Sequence, residues 1–156
     1  MFSFFKREIQ KNDPEDSENE VVLKERYRLS AEETSDGIPT VYYDIFLKNG
    51  VLPVGKIDLR LKMDDYMYYL GHIGYHVYKV YRGHSYAYKA CLQLFRIARE
   101  EFGLSELIIT CSPDNIASYK TLVKLGGKLI ETVPVPVDHE LYRNNERIKC
   151  IFKYKL

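Results

Sequence analysis

The chain has 156 residues, with 23 basic against 22 acidic side chains and a formal net charge of +1 at pH 7. That balance offers no electrostatic footprint for nucleic acid or an anionic membrane, and no apolar run approaches the roughly 18 residues of a spanning helix. The length suits one domain around one core. The three cysteines, Cys91, Cys111 and Cys150, lie in apolar-periodic segments without zinc-ligand spacing. They read as buried, reduced thiols of a cytoplasmic protein, and no metal is expected.

Residues 1–20 open on a short apolar patch and turn polar, acidic and Pro-broken, which reads as an N-terminal arm. The patch is too short for a signal peptide, and Lys6 and Arg7 stand on its wrong side. The remainder, 21–156, reads as one domain. Residues 22–29 alternate apolar and basic, the period of a strand. After a polar loop, 41–48 is a second strand, ended by the hairpin signal Asn49-Gly50. A third strand at 54–62 sets Ile57, Leu59 and Leu61 against Lys56, Asp58, Arg60 and Lys62. A tyrosine-rich connection at 63–69 leads to a fourth strand at 70–79.

The period then changes to about 3.6. Over 85–102, Ala87, Ala90, Cys91, Leu94, Ile97 and Ala98 share one face, and Gly103 stops the helix. Residues 106–111 form a short buried strand. A strand–helix–strand crossover of this length suits neighbouring parallel strands. Turn and N-cap chemistry at 112–115 opens a second helix, 116–125, which ends at Gly126-Gly127. Strands at 128–133 and 147–156 flank a polar loop at 139–146. The fold class expected is mixed α+β.

The stretch 71–87 runs a strand into a turn that opens directly into the long helix, an arrangement that offers backbone N–H groups and a helix dipole to an anion. Three pieces carry a family resemblance: this stretch, the segment 108–118 and Lys-Leu-Gly-Gly-Lys at 124–128. In this order and spacing the chain resembles the GNAT superfamily of acyl-CoA-dependent N-acetyltransferases, closest to a group of predicted acetyltransferases with a similar Gly-His-Ile-Gly-Tyr stretch. The resemblance implies a central, mostly antiparallel twisted sheet of about seven strands, with a splayed strand pair and two main helices. It implies acetyl-CoA as co-substrate and an acetyl group moved to a primary amine by direct attack on the thioester. The alternative is a non-catalytic acyl-CoA-binding module. The acceptor is a small-molecule or peptide amine.

On the family's pattern, Arg82, Gly83, His84, Ser85, Tyr86 and Ala87 form the pyrophosphate loop, with Ser85 where a glycine is usual. The other reading of Ser85 is an ordinary helix cap. Backbone at Val77, Tyr78 and Lys79 would pair with the pantetheine arm, an N–H around His76 and Val77 would polarise the thioester carbonyl, and Asn115 would contact the arm. Counting back from Arg82 reaches His72 as the base, with His76 as its backup. The other role open to His72 is to hold the splayed strands or position the acceptor. The family's leaving-group tyrosine, about two turns past Asn115, falls on Leu122, which leaves Ser118 or water. The family's helices between the first two strands are absent. The acceptor wall would then come from the arm, from Asp64, Asp65, Tyr66, Tyr68 and Tyr69 in the connection, or from a second subunit in a homodimer.

Overall fold

A computed structural model describes residues 20–156. The N-terminal arm, Glu20 excepted, lies outside the described residues. Four strands, β1 (Val21–Leu29), β2 (Thr40–Leu47), β3 (Pro53–Arg60) and β4 (Ile73–Val77), follow each other as an antiparallel sheet in the order β1-β2-β3-β4. Three more, β5 (Glu106–Cys111), β6 (Lys128–Pro134) and β7 (Ile148–Lys155), form an antiparallel sheet in the order β5-β7-β6. The helices are α1 (Tyr86–Glu100), α2 (Ile116–Lys124) and the single turn α3 (Glu140–Arg143). The fold class is mixed α+β, and the expected central sheet is divided in two. Among the described residues no helix is long and apolar enough to cross a membrane.

The alternation of the sequence becomes two faces of the first sheet. Val41, Tyr43, Ile45, Ile57, Leu59 and Ile73 are buried on one. The α1 residues Ala90, Cys91, Leu94 and Ala98 meet them in one cluster that also takes in Leu107, Ile109 and Phe152 of the second sheet. Each large side chain so buried contributes about 1.5–3 kcal/mol. The other face carries Tyr42, Asp44, Lys56, Asp58, Arg60 and His76, and no helix covers it among the described residues. The short 30–39 loop between β1 and β2 is why. All three cysteines are free and buried, as their periodic positions predict.

Several boundaries differ from the sequence reading. The strand expected over 70–79 pairs only from Ile73 to Val77, and Lys79–Tyr81 is a 3-10 turn. The loop 139–146 contains α3, whose first turn is capped by His139: Nδ1 accepts the Leu141 N–H at 3.1 Å. The connection 63–69 is anchored, with Met67 fully buried and Tyr66 stacked on His139 at 4.1 Å between ring centres.

The expected crossover pairing of β4 with β5 is reduced to a single clasp. The His72 N–H donates to the Ile108 carbonyl at 2.7 Å, and the Ile108 N–H donates to His72 Nδ1 at 2.9 Å. Gly71, at φ +76°, brings the chain into this clasp; a Cβ there would stand 2.9 Å from the Ile108 carbonyl oxygen, so both the angle and the space require glycine. Beyond the clasp no ladder joins β4 to β5, and the two sheets diverge.

Candidate active site

The divergence leaves a cavity of about 750 Å³ that touches Val77 on β4, Cys111 on β5, the 82–87 turn and the start of α2. Among the described residues, its β4 wall is an unpaired strand edge. The Arg60 N–H bonds the His72 carbonyl at 2.7 Å, and the Tyr78 N–H bonds the Val54 carbonyl at 2.9 Å. With the register of β3 against β4, these bonds fix which backbone groups face which way. Gly74 and His76 turn their N–H and C=O toward β3; Ile73, Tyr75 and Val77 turn theirs into the gap. The N–H expected around His76 and Val77 is therefore that of Val77. Tyr78 spends its N–H on β3, and the Val77 carbonyl accepts from Arg82 Nε at 3.0 Å. Neither Tyr78 nor Lys79 borders the cavity.

One end of the cavity is the turn before α1. Gly83 has φ +90° and Ser85 has φ +59°. Among the described residues no acceptor takes the amides of Gly83, His84, Ser85 or Tyr86, the donors that a helix start leaves over. Gly83, Ser85, Tyr86 and Ala87 line the cavity, whereas His84 stacks outside it on Tyr86. At the start of α2, Asn115 Oδ1 caps the helix by accepting the Ser118 N–H at 3.1 Å. Both residues reach the cavity. Ser118 Oγ lies 2.6 Å from the hydroxyl of Tyr75, a β4 residue that the sequence reading did not single out.

The other end is polar. Ser112 Oγ donates to Glu146 Oε2 at 3.0 Å, and Lys149 pairs with the same oxygen. Arg60 NH1 holds the Gly71 carbonyl at 3.0 Å. Glu146 and Lys149 were hidden in a loop and a strand that gave no motif signal. Leu70 borders this end, but none of Asp64, Asp65, Tyr66, Tyr68 or Tyr69 does. Asp64 accepts the Met67 N–H instead, and the Tyr68 hydroxyl bonds Glu131.

The two histidines part company. His76 is exposed on the open face of β4 and borders the cavity. His72 is 7% exposed, lies off the cavity lining, and has Nδ1 engaged by Ile108. Burial lowers its pKa below the ordinary histidine value. An Nδ1 that accepts leaves the proton on Nε2, so no lone pair is free to take another.

A family model of the acetyltransferase (GNAT) domain matches residues 3–128. The chain belongs to this family. Among solved structures the fold is similar to a GNAT-family acetyltransferase from Bacillus anthracis, at 21% identity and a TM-score of 0.59 over 73% of this chain and 65% of that one. It is similar to the ribosomal-protein-S5-alanine acetyltransferase of Vibrio fischeri, at 16% identity and a TM-score of 0.59 over 74% and 61%. A third is the microcin C7 self-immunity acetyltransferase MccE in complex with acetyl-CoA and AMP, at 16% identity and a TM-score of 0.55 over 75% and 61%. The likeness is one of fold, and the chain spans less than two thirds of the length of each. No curated protein matches the sequence.

Ser85 has a left-handed backbone, at φ +59° and ψ +27°, the region glycine enters at least steric cost. It makes no side-chain cap bond, so the ordinary Ser cap is not what stands here. An L-residue in this region costs about 1–2 kcal/mol, against which glycine loses about 0.5–1 kcal/mol in chain entropy. Ser85→Gly is therefore expected to stabilise the protein by up to about 1 kcal/mol, read by thermal denaturation. A lower midpoint would mean that the hydroxyl has work the geometry does not show. Leu122, at the family's leaving-group position, is fully buried and offers the cavity nothing.

Proposed function

We propose that this GNAT domain transfers an acetyl group from acetyl-CoA to a primary amine. The observation that carries the reading is the continuous gap from the 83–86 amides, which no acceptor among the described residues takes, along the open edge of β4, to His76 and the polar end. The pyrophosphate lies against the turn amides and the α1 dipole, and Arg82 flanks it. The pantetheine arm pairs with β4 as an added strand, using the N–H and C=O groups of Tyr75, with Asn115 beside it. The Val77 N–H holds the oxygen on which charge develops.

The amine enters from the face that carries His76, Arg60, Glu146 and Lys149, because the loop face is taken by the cofactor. An alkyl amine titrates near ~10.4, so freeing it at pH 7 costs roughly 4–5 kcal/mol. His76, exposed and at the border of the cavity, takes the proton directly or through water. His72 is a strut in this mechanism. Glu146, its Oε2 fixed by Ser112 and Lys149, faces the acceptor.

Titration calorimetry with acetyl-CoA and with CoA is the test. Micromolar binding is expected, and Ser85→Glu, which sets a carboxylate against the phosphates, should remove it without lowering the melting temperature by more than a few degrees. Absence of binding to the parent at high concentration would overturn the reading. Thiol release across an amine panel then tests the chemistry, with His76→Ala expected to lower kcat far more than acetyl-CoA affinity. Binding without turnover of any amine would favour the non-catalytic module.

A further inference from the structure

Tyr75 stands on β4 between Ile73 and Val77, on the side of the strand that faces the helices. Opposite it, Ser118 occupies the first turn of α2, held by the bond from its N–H to Asn115. The two hydroxyl oxygens are 2.6 Å apart, and both residues border the cavity. Two hydroxyls that share one hydrogen bond keep one hydroxyl hydrogen for a third group. The titratable groups facing the Tyr75 hydroxyl are the thiols of Cys91 and Cys111 and the phenol of Tyr154, and burial pushes the Tyr75 phenol up to about 12. It is therefore a neutral donor at neutral pH.

We propose that the Tyr75–Ser118 hydroxyl pair receives the sulfur leaving acetyl-CoA, as a hydrogen-bond donor to the thiolate. This rests on the acetyl-transfer reading. The amine nitrogen's lone pair forms the C–N bond, and the carbonyl π pair moves to the oxygen beside the Val77 N–H. When that pair returns, the C–S bond breaks and its electrons stay on sulfur, while the nitrogen's second proton goes to His76, which has passed the first to solvent. The sulfur keeps its charge until solvent protonates it. Proton transfer from the phenol would be uphill, because burial holds the phenol above the range of a thiol. A hydrogen bond has no such cost, and a charge-assisted one is about twice as strong as a neutral one. The position is occupied from β4 because the α2 position used elsewhere in the family is the buried Leu122.

The test uses CoA binding rather than turnover. Donors aimed at the sulfur favour thiolate over thiol, so the bound thiol should titrate about one unit below the free one. CoA binding should then tighten about tenfold between neutral and alkaline pH, while desulfo-CoA binding stays flat. Tyr75→Phe with Ser118→Ala should abolish the tightening. Ser118→Ala alone, a change on an accessible helix turn, should halve it or more. A CoA profile identical in parent and double variant overturns the inference and leaves the acetyl-transfer reading standing. Failure of the parent to bind CoA overturns both.

Discussion

Gly127→Val is expected to lower stability by about 3 kcal/mol. The residue follows Gly126, and the pair looks like one helix stop. In the fold the two glycines have different reasons. Gly126 has φ +84°, the left-handed end of α2, and a Cβ there would touch nothing within 4 Å. Gly127 has no unusual angle, but its Cβ would lie 2.3 Å from Cζ of Tyr154. Tyr154 is buried, packs on Phe95 at 5.1 Å between centroids, and donates its hydroxyl to the Leu122 carbonyl at 2.7 Å. Overpacking costs about 1–3 kcal/mol, and the lost hydrogen bond adds about 1 kcal/mol. For a domain of this size that is roughly a 10 °C fall in Tm. Gly126→Ala should cost about 1 kcal/mol by strain alone. Calorimetric melting of both variants decides the ranking; a Gly127→Val protein as stable as Gly126→Ala would mean that Tyr154 has room to move.

The same contrast describes what could be read before the fold was known. Alternation in β3 and β7 was legible because each has one buried face, and α1 because its apolar stripe covers one sheet. The 82–87 turn was legible because backbone amides before a helix attract anions whatever the side chains are. The limits of β4 were not. Residues 70–79 read as one strand, yet pairing starts only after Gly71 turns the chain and stops where Lys79–Tyr81 tightens into a 3-10 turn. His72 and His76 share parity, and parity says they share a face. It fails because His72 precedes the strand, and its ring crosses to Ile108. Tyr75 carried only the signal of a core residue. Glu146 and Lys149 meet Ser112 through a long return of the chain, a juxtaposition no local pattern encodes.

His72→Leu should cost about 2–3 kcal/mol, and His72→Asn should recover most of it. Leucine fills much of the ring's space but leaves the buried Ile108 N–H without an acceptor, a loss of about 1–3 kcal/mol. Asparagine places Oδ1 where Nδ1 was, at the same remove from the backbone. If His72 were the base, asparagine would be as inactive as leucine. As the strut that sets where β4 parts from β5, asparagine should restore acetyl transfer together with stability, whereas His76→Ala should lose turnover at full stability. The pH profile supplies an independent reading. Burial lowers the His72 pKa in the folded protein, so between its folded value and the unfolded ~6.5 the unfolded chain binds more protons. Its contribution to stability is complete above ~6.5 and is lost as pH falls from there through the folded value. Protonation would also set an Nδ1 hydrogen against the Ile108 N–H, so the clasp itself opens. Subtracting the His72→Asn profile of unfolding free energy from the parent's isolates this group: the difference should be level above pH ~6.5 and decline below it. A difference that does not change with pH would mean that the His72 ring ionises as freely in the folded chain as in the unfolded one, and the strut would have to be sought elsewhere at the β4–β5 vertex.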